Sequence, residues 1–227
     1  MKRTIGYRVI VALLVIFINQ LNMTGQDDPR AQKIIDDMSA KFKSYAGASV
    51  DFSYTIIQKQ NDSKTERQDG KIWVKNNKYK LSIADFVIYF DGSKIYQYLP
   101  SVNEVNISKP EADDNSGDFQ LFNPQSYFNI SAKSFRIPYV KEGTENNRSV
   151  YEIDLYPLQI RGTKYLRIRI KVDRTSLQLA SMQVFMKDGT DYILNFKPYN
   201  ILTALDDSFF RFNKNEHPNV EVIDLTF

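Results

Sequence analysis

The chain has 227 residues, 42% of them apolar and 13% aromatic, which is enough to build a core of one or two domains. With no cysteine and one histidine, it has no disulfide framework, no cysteine nucleophile and no zinc site of the usual kind. The formal charge is +3, but Lys2, Arg3 and Arg8 all fall in the first 25 residues, where there is no acid, so the remainder is formally neutral and offers no electrostatic case for binding nucleic acid.

In that first segment a basic start precedes an apolar run from Val9 to Ile18, and polar residues follow from Asn19. The pattern predicts a cleaved signal peptide over 1–25, the run being short for a membrane span. An uncleaved N-terminal anchor is the alternative. Export of a cysteine-free chain suits the periplasm of a Gram-negative bacterium. Residues 26–227 then read as a single domain, with no internal repeat and no low-complexity linker.

Asp28 and Pro29 open a helix whose apolar residues Ala31, Ile34, Ile35, Met38, Phe42 and Tyr45 fall on one face, ending near Gly47. Val50, Phe52, Tyr54 and Ile56 then alternate with polar residues as a strand, and Ile72 and Val74 lie on one face of the return strand with Trp73 on the other. From Gln68 to Ser108 short β-type segments follow one another across Asn76-Asn77, Asp91-Gly92-Ser93 and Pro100-Ser101. Neighbours so close join as antiparallel hairpins, because a parallel crossover needs about a dozen residues.

Residues 109–117 are acidic and turn-rich, a solvated loop. The stretch 118–130 carries four Phe or Tyr residues around Pro124 and is expected to form one or two short helical turns. It reads either as a packed connector or as a flap over an apolar site. Strands return at 149–158, 164–172, 178–187 and 190–197, with Asp188-Gly189 as a hairpin signal. In the second of these Leu166, Ile168, Ile170 and Val172 are expected to be buried, and Arg167, Arg169 and Lys171 to face water. The end of the chain, 220–225, is expected to be an edge strand.

No catalytic constellation is found. His217 sits alone in a proline turn, and Asp36-Asp37, Asp113-Asp114 and Asp206-Asp207 are explained by capping and solvation. There is no nucleophile elbow, phosphate loop or dinucleotide fingerprint. The expectation is a protein that is not an enzyme, with no cofactor and no metal; a hydrolase using two distant acids is the competing class. The positive signal is apolar surface on both faces of one strand, Phe86, Ile88 and Phe90 against Val87 and Tyr89, as in a sheet covered on more than one side.

The residues Phe52 and Gln58, Gly70-Lys71-Ile72-Trp73-Val74-Lys75, Asp91-Gly92, Ile95-Tyr96-Gln97-Tyr98-Leu99-Pro100, Glu104-Val105, the segment 119–124, and Phe210-Arg211-Phe212 followed by Pro218-Asn219-Val220-Glu221-Val222 come in the order of similar motifs in the LolA family of periplasmic lipoprotein carriers. The chain resembles that family over nearly all of its mature length. The resemblance implies a mainly β (α+β) fold: a strongly curved antiparallel half-barrel, with an N-terminal helix and lid helices covering its concave apolar face. It implies a monomeric carrier that binds lipoprotein acyl chains, accepts them from an inner-membrane ABC-transporter complex and delivers them to the outer membrane, where a receptor would be a further partner. A carrier of free lipid, or a sensor of mislocalised lipoproteins, is the alternative within the same architecture.

On this reading Val50, Phe52, Tyr54, Ile72, Val74, Tyr79, Leu81, Ile83 and Ile88 line the acyl cavity, with Tyr96 and Tyr98 as aromatic candidates from the next strand. Leu121, Phe122 and Phe128 belong to the lid. Asn76 stands where the family often has an arginine that ties the lid shut, so lid control is expected to differ here.

Overall fold

The structure, a computed structural model, describes residues 27–59, 64–83, 85–110 and 123–226. The predicted signal peptide and the lid candidates Leu121 and Phe122 lie outside the described residues, as does most of the acidic loop.

Helix α1, Pro29–Lys43, starts as expected: the Asp28 side chain accepts a hydrogen bond from the Arg30 N–H at 2.9 Å, and Pro29 opens the first turn. The other oxygen of that carboxylate accepts from the Val140 N–H at 3.1 Å, which fixes the start of the helix to the far end of the sheet. Ala31, Ile34, Ile35, Met38 and Phe42 form the buried stripe.

The strands follow in chain order. The first group is β1 (Ala48–Gln58), β2 (Lys64–Lys75), β3 (Lys78–Ile83), β4 (Phe86–Phe90), β5 (Ile95–Leu99) and β6 (Glu104–Ser108). A five-residue helix α2, Pro124–Phe128, precedes β7 (Phe135–Arg136), β8 (Val140–Glu145) and β9 (Arg148–Pro157). Then come β10 (Tyr165–Asp173), β11 (Leu179–Met186), β12 (Thr190–Phe196), β13 (Asn200–Ile201) and β14 (Glu221–Asp224).

These strands make one sheet in the order β14-β6-β5-β4-β3-β2-β1-β12-β11-β10-β9, with β7 and β8 on the outer side of β9 and β13 on β1. All pairings are antiparallel except β14 with β6, the expected edge strand, which runs parallel. Among the described residues the sheet does not close on itself. It wraps α1, and a single buried cluster joins the helix stripe to β1–β4 on one side and β9–β12 on the other. The fold is mainly β, an open, strongly curved antiparallel half-barrel around one helix.

The tight turns use residues that tolerate left-handed backbone. Asn76 (φ 54°) lies between β2 and β3, and Asn146 (48°) and Asn147 (61°) form a two-residue hairpin loop between β8 and β9. Strand β8 carries no signal in the sequence. Its residues Val140–Glu145 are mostly exposed and polar, so no apolar alternation marks them.

One expectation about β10 is corrected. Leu166 is 58% exposed, and Tyr165 takes the buried position instead. A register shift between Tyr165 and Arg167 moves Leu166 out of alternation, as a β-bulge does. The basic face of β10 is not a bare solvated stripe either. Arg167 and Arg169 both donate to buried Asp154, at 2.8 and 2.7 Å, and Lys171 donates to Glu145 at 3.1 Å.

Candidate functional site

The concave face is built from alternating positions of β1–β4. Cross-strand register sets Val50 opposite Ile72, Ile72 opposite Leu81, Leu81 opposite Ile88 and Val74 opposite Tyr79, so these side chains share one face. Phe52, Tyr54 and Ile83 extend it. All nine residues are buried in the cluster beneath α1, together with Tyr127 and Phe128 of α2. Gly70 makes one part of this face possible. A Cβ there would lie 2.6 Å from Phe52 Cζ and 2.8 Å from the Ser82 carbonyl oxygen, so the Phe52 ring uses the space above a residue without a side chain.

Tyr96 and Tyr98 do not belong to this face. Ile88 pairs with Gln97 and Phe90 with Ile95, whereas Tyr89 pairs with Tyr96 and Val87 with Tyr98. Alternation therefore sends both tyrosines to the convex side. There they join a second cluster with Tyr89, Val105, Phe212 and Val220, covered by the C-terminal segment. Of β5, Ile95 is the residue that reaches the concave core. His217 packs between Tyr98 and Phe212, with ring centroids 4.2 and 4.8 Å away. The sequence shows apolar residues on both parities of β4 and β5 and does not mark which parity faces the helix.

The convex side also holds Lys80. Its ammonium lies 4.7 Å from the Tyr89 ring centre and 4.6 Å from that of Phe209, and burial lowers its pKa. Nearby, hydrogen bonds from Lys75 and Lys78 pull the Asp207 carboxyl down to about 2.

Over the concave face the two helices meet through aromatic rings. Phe42 of α1 stacks on Phe128 of α2, with centroids 4.3 Å apart and planes 17° apart, and Tyr199 meets both edge-on. Tyr127 is buried beside Phe196, and burial holds its hydroxyl in the neutral form. Tyr79 is likewise pushed up to about 12 by burial. Tyr199 and Phe196 are not among the expected site residues, because they lie far along the chain and reach the site only through the β11–β12 half of the sheet.

Asn76 does meet the expected lid, though through its backbone. The Gln125 side-chain amide donates to the Asn76 carbonyl oxygen at 3.1 Å. The side-chain donor here sits on the lid and the backbone acceptor on the sheet.

Beside this contact a cavity of about 350 Å³ opens at the rim, with Phe42, Ala48 and Val74 as its apolar side and Asn76, Gln125 and Asn129 on its polar side. That is the low end of ligand-sized cavities, which run from roughly 300 to 1,000 Å³. Below it the concave face is packed: the nine expected cavity residues form a closed core under α1 and α2.

No family model matches the sequence, and no curated protein matches it. Solved structures do. An uncharacterised conserved protein from Thermus thermophilus superposes with a TM-score of 0.54 at 9% identity, covering 86% of this chain and 99% of that one. The fold is shared. A DUF1329 family protein from Desulfovibrio piger has a TM-score of 0.48 at 12% identity, covering 82% of this chain and 98% of its own. A LolA superfamily protein from Nitrosomonas europaea has a TM-score of 0.41 at 12% identity, covering 80% and 97%.

Among the described residues no helix is long and apolar enough to cross a membrane, and no three His, Cys, Asp or Glu side chains stand close enough to hold a metal ion.

Proposed function

We propose that this protein carries acyl chains across a periplasmic compartment, and that its cargo is acylated lipoprotein. The observation that carries this reading is how the concave face is covered. A strongly curved apolar sheet is capped by one amphipathic helix and a five-residue helix, joined to each other by the Phe42–Phe128 stack and to the sheet rim by Gln125. A cavity with an apolar and a polar side opens at that seam.

Swinging α2 away would lift its own Tyr127 and Phe128 off the core and uncover the sheet residues below them. Each methylene of an acyl chain that takes the place of those two rings stabilises the complex by about 0.8 kcal/mol. The closed packing offsets part of that gain, so cargo is held and can still be released. The sequence resemblance supplies the partners: an inner-membrane ABC-transporter complex that loads the carrier, and an outer-membrane acceptor that unloads it.

Mass spectrometry of what co-purifies from periplasm tests the cargo. Acylated protein is the expected finding, and free phospholipid would make this a free-lipid carrier instead. Depletion followed by fractionation tests the route. Lipoproteins are expected to accumulate at the inner membrane, and an unchanged distribution would remove the shuttling role.

A further inference from the structure

We infer that the loop between β9 and β10 docks the protein on a membrane surface that carries anionic phospholipid headgroups. Such docking is independent of the acyl-carrier reading above.

Three large aliphatic side chains stand in water around this loop. Leu158 is 59% exposed, Ile160 70% and Leu166 58%. A single exposed aliphatic residue needs no explanation, but three on one hairpin make a patch of the kind that marks an interaction surface. The backbone beneath them is held from both sides. The Leu158 N–H donates to the Ser134 carbonyl at 3.1 Å, and the Lys187 N–H to the Lys164 carbonyl at 2.9 Å. Within the loop the buried Thr163 hydroxyl donates to the Gln159 carbonyl, and the Lys187 ammonium donates to the Ile160 carbonyl at 3.4 Å. The bulge between Tyr165 and Arg167 leaves Leu166 outside while Tyr165 fills the core. A fixed loop therefore presents the aliphatic groups, and little backbone ordering is left to oppose binding.

Charge names the partner. Residues 156–167 contain no Asp or Glu, nor do residues 131–141, which adjoin the loop through the pairing of β7 with β9. Lys133, Arg136, Arg161 and Lys164 are exposed in these segments, and Lys187 is exposed at the neighbouring turn. Arg136 lies over the Tyr156 ring, 5.2 Å from its centre, on the strand beside the loop. Asp188, the acid of the neighbouring turn, accepts from the Thr190 N–H at 2.8 Å. In a chain that is formally neutral beyond residue 25, this is a local excess of cations around an aliphatic tip. A membrane surface uses both features: Leu and Ile enter the boundary between headgroups and acyl chains, and Lys and Arg reach the phosphates above it. The Asn76 turn and its contact with α2 lie at the opposite end of the strands, so substitutions in the loop leave the seam intact.

Co-sedimentation with vesicles tests the docking. The purified protein is expected to bind vesicles of phosphatidylcholine with about 30% phosphatidylglycerol about tenfold more tightly than vesicles of phosphatidylcholine alone. Leu158→Ser with Ile160→Ser is expected to weaken binding to the anionic vesicles about tenfold, and so is Arg161→Gln with Lys164→Gln. Both variants change exposed side chains, so the parent's circular dichroism and acyl-probe uptake are expected to persist. No vesicle binding by the parent protein overturns membrane docking and leaves acyl carriage standing. Vesicle binding without acyl uptake overturns the carrier reading alone. Undiminished binding by both variants overturns the assignment to this loop, and equal affinity for the two kinds of vesicle overturns the role of the cations. A parent protein that dimerises in sedimentation velocity, where the serine variant stays monomeric, gives the patch to a second copy and overturns docking.

Discussion

The ring of Phe42, in the last turn of α1, lies 4.3 Å from the ring of Phe128, in α2, and nearly parallel to it. The two residues are far apart in sequence and belong to the two helices that cover the concave face. Their stack is where that cover is continuous, and on the proposed reading it is where the cover parts.

Phe128→Ala is expected to lower stability by about 3 kcal/mol, the usual cost of emptying a buried phenylalanine site, and to speed the uptake of a fluorescent acyl probe. Urea denaturation gives the first quantity and stopped-flow mixing the second. Loss of stability with an unchanged uptake rate would mean that the stack is core and not a gate.

The contact between Gln125 and Asn76 can be locked. The chain has no cysteine, so Gln125→Cys with Asn76→Cys introduces a unique pair that a short, cleavable thiol crosslinker can join. The crosslinked protein is expected to take up no acyl probe, and uptake is expected to return once the linker is cleaved. Undiminished uptake by the linked form would place the entry route elsewhere.

Gly70→Ala places a methyl group against the Phe52 ring and the Ser82 carbonyl, with contacts of 2.6 to 2.8 Å that something must relieve. The ring can move but the backbone oxygen cannot move far, so a loss of about 1–3 kcal/mol is expected, as for overpacked cores. Thermal unfolding measures it. The double variant Gly70→Ala, Phe52→Leu should recover part of the loss, and no recovery would show that the Ser82 backbone sets the limit.

Asp91 ties the β4–β5 turn to the C-terminal segment. Its carboxylate accepts from the N–H groups of Ser93 and Lys94, both at 2.9 Å, and from Arg211 at 3.1 Å. Burial alone would raise its pKa, but these donors hold it far below the ordinary carboxylate range. A depressed carboxylate stabilises the fold above its unfolded value of about 3.9, and that contribution is lost as the pH falls below it toward the folded value. Asp91→Asn is therefore expected to be less stable than the parent by about 2 kcal/mol at pH 7. The gap should narrow below about pH 4. Urea titrations at neutral and acid pH test this, and a constant gap would remove the charge from the explanation.

Much of the inner wall is legible in the sequence. The alternation Val50, Phe52, Tyr54 and the pair Ile72, Val74 assign those residues to one face, and cross-strand register places them together under α1. Tyr96 and Tyr98 are not legible in this way, because β4 and β5 are apolar on both parities and both faces are in fact covered. Leu166 departs from expectation because a bulge interrupts the alternation of its strand. Tyr199 enters the aromatic group from a loop with no periodicity, its hydroxyl donating to the Leu179 carbonyl at 3.2 Å.

Taken alone, the amino-acid sequence determined most of the elements, β8 excepted, and, where one face is polar and no bulge intervenes, their orientation. A period of two or of 3.6 binds each side chain to a face through backbone geometry, without reference to the rest of the molecule. Only the tertiary structure decided which face of β4 and β5 turns toward α1, that the expected cavity residues are packed beneath a cover, and that Gln125 reaches the Asn76 carbonyl. Those facts depend on sheet curvature and on contacts between segments distant in the chain, such as Asn76 and Gln125. No local pattern of residues carries that information.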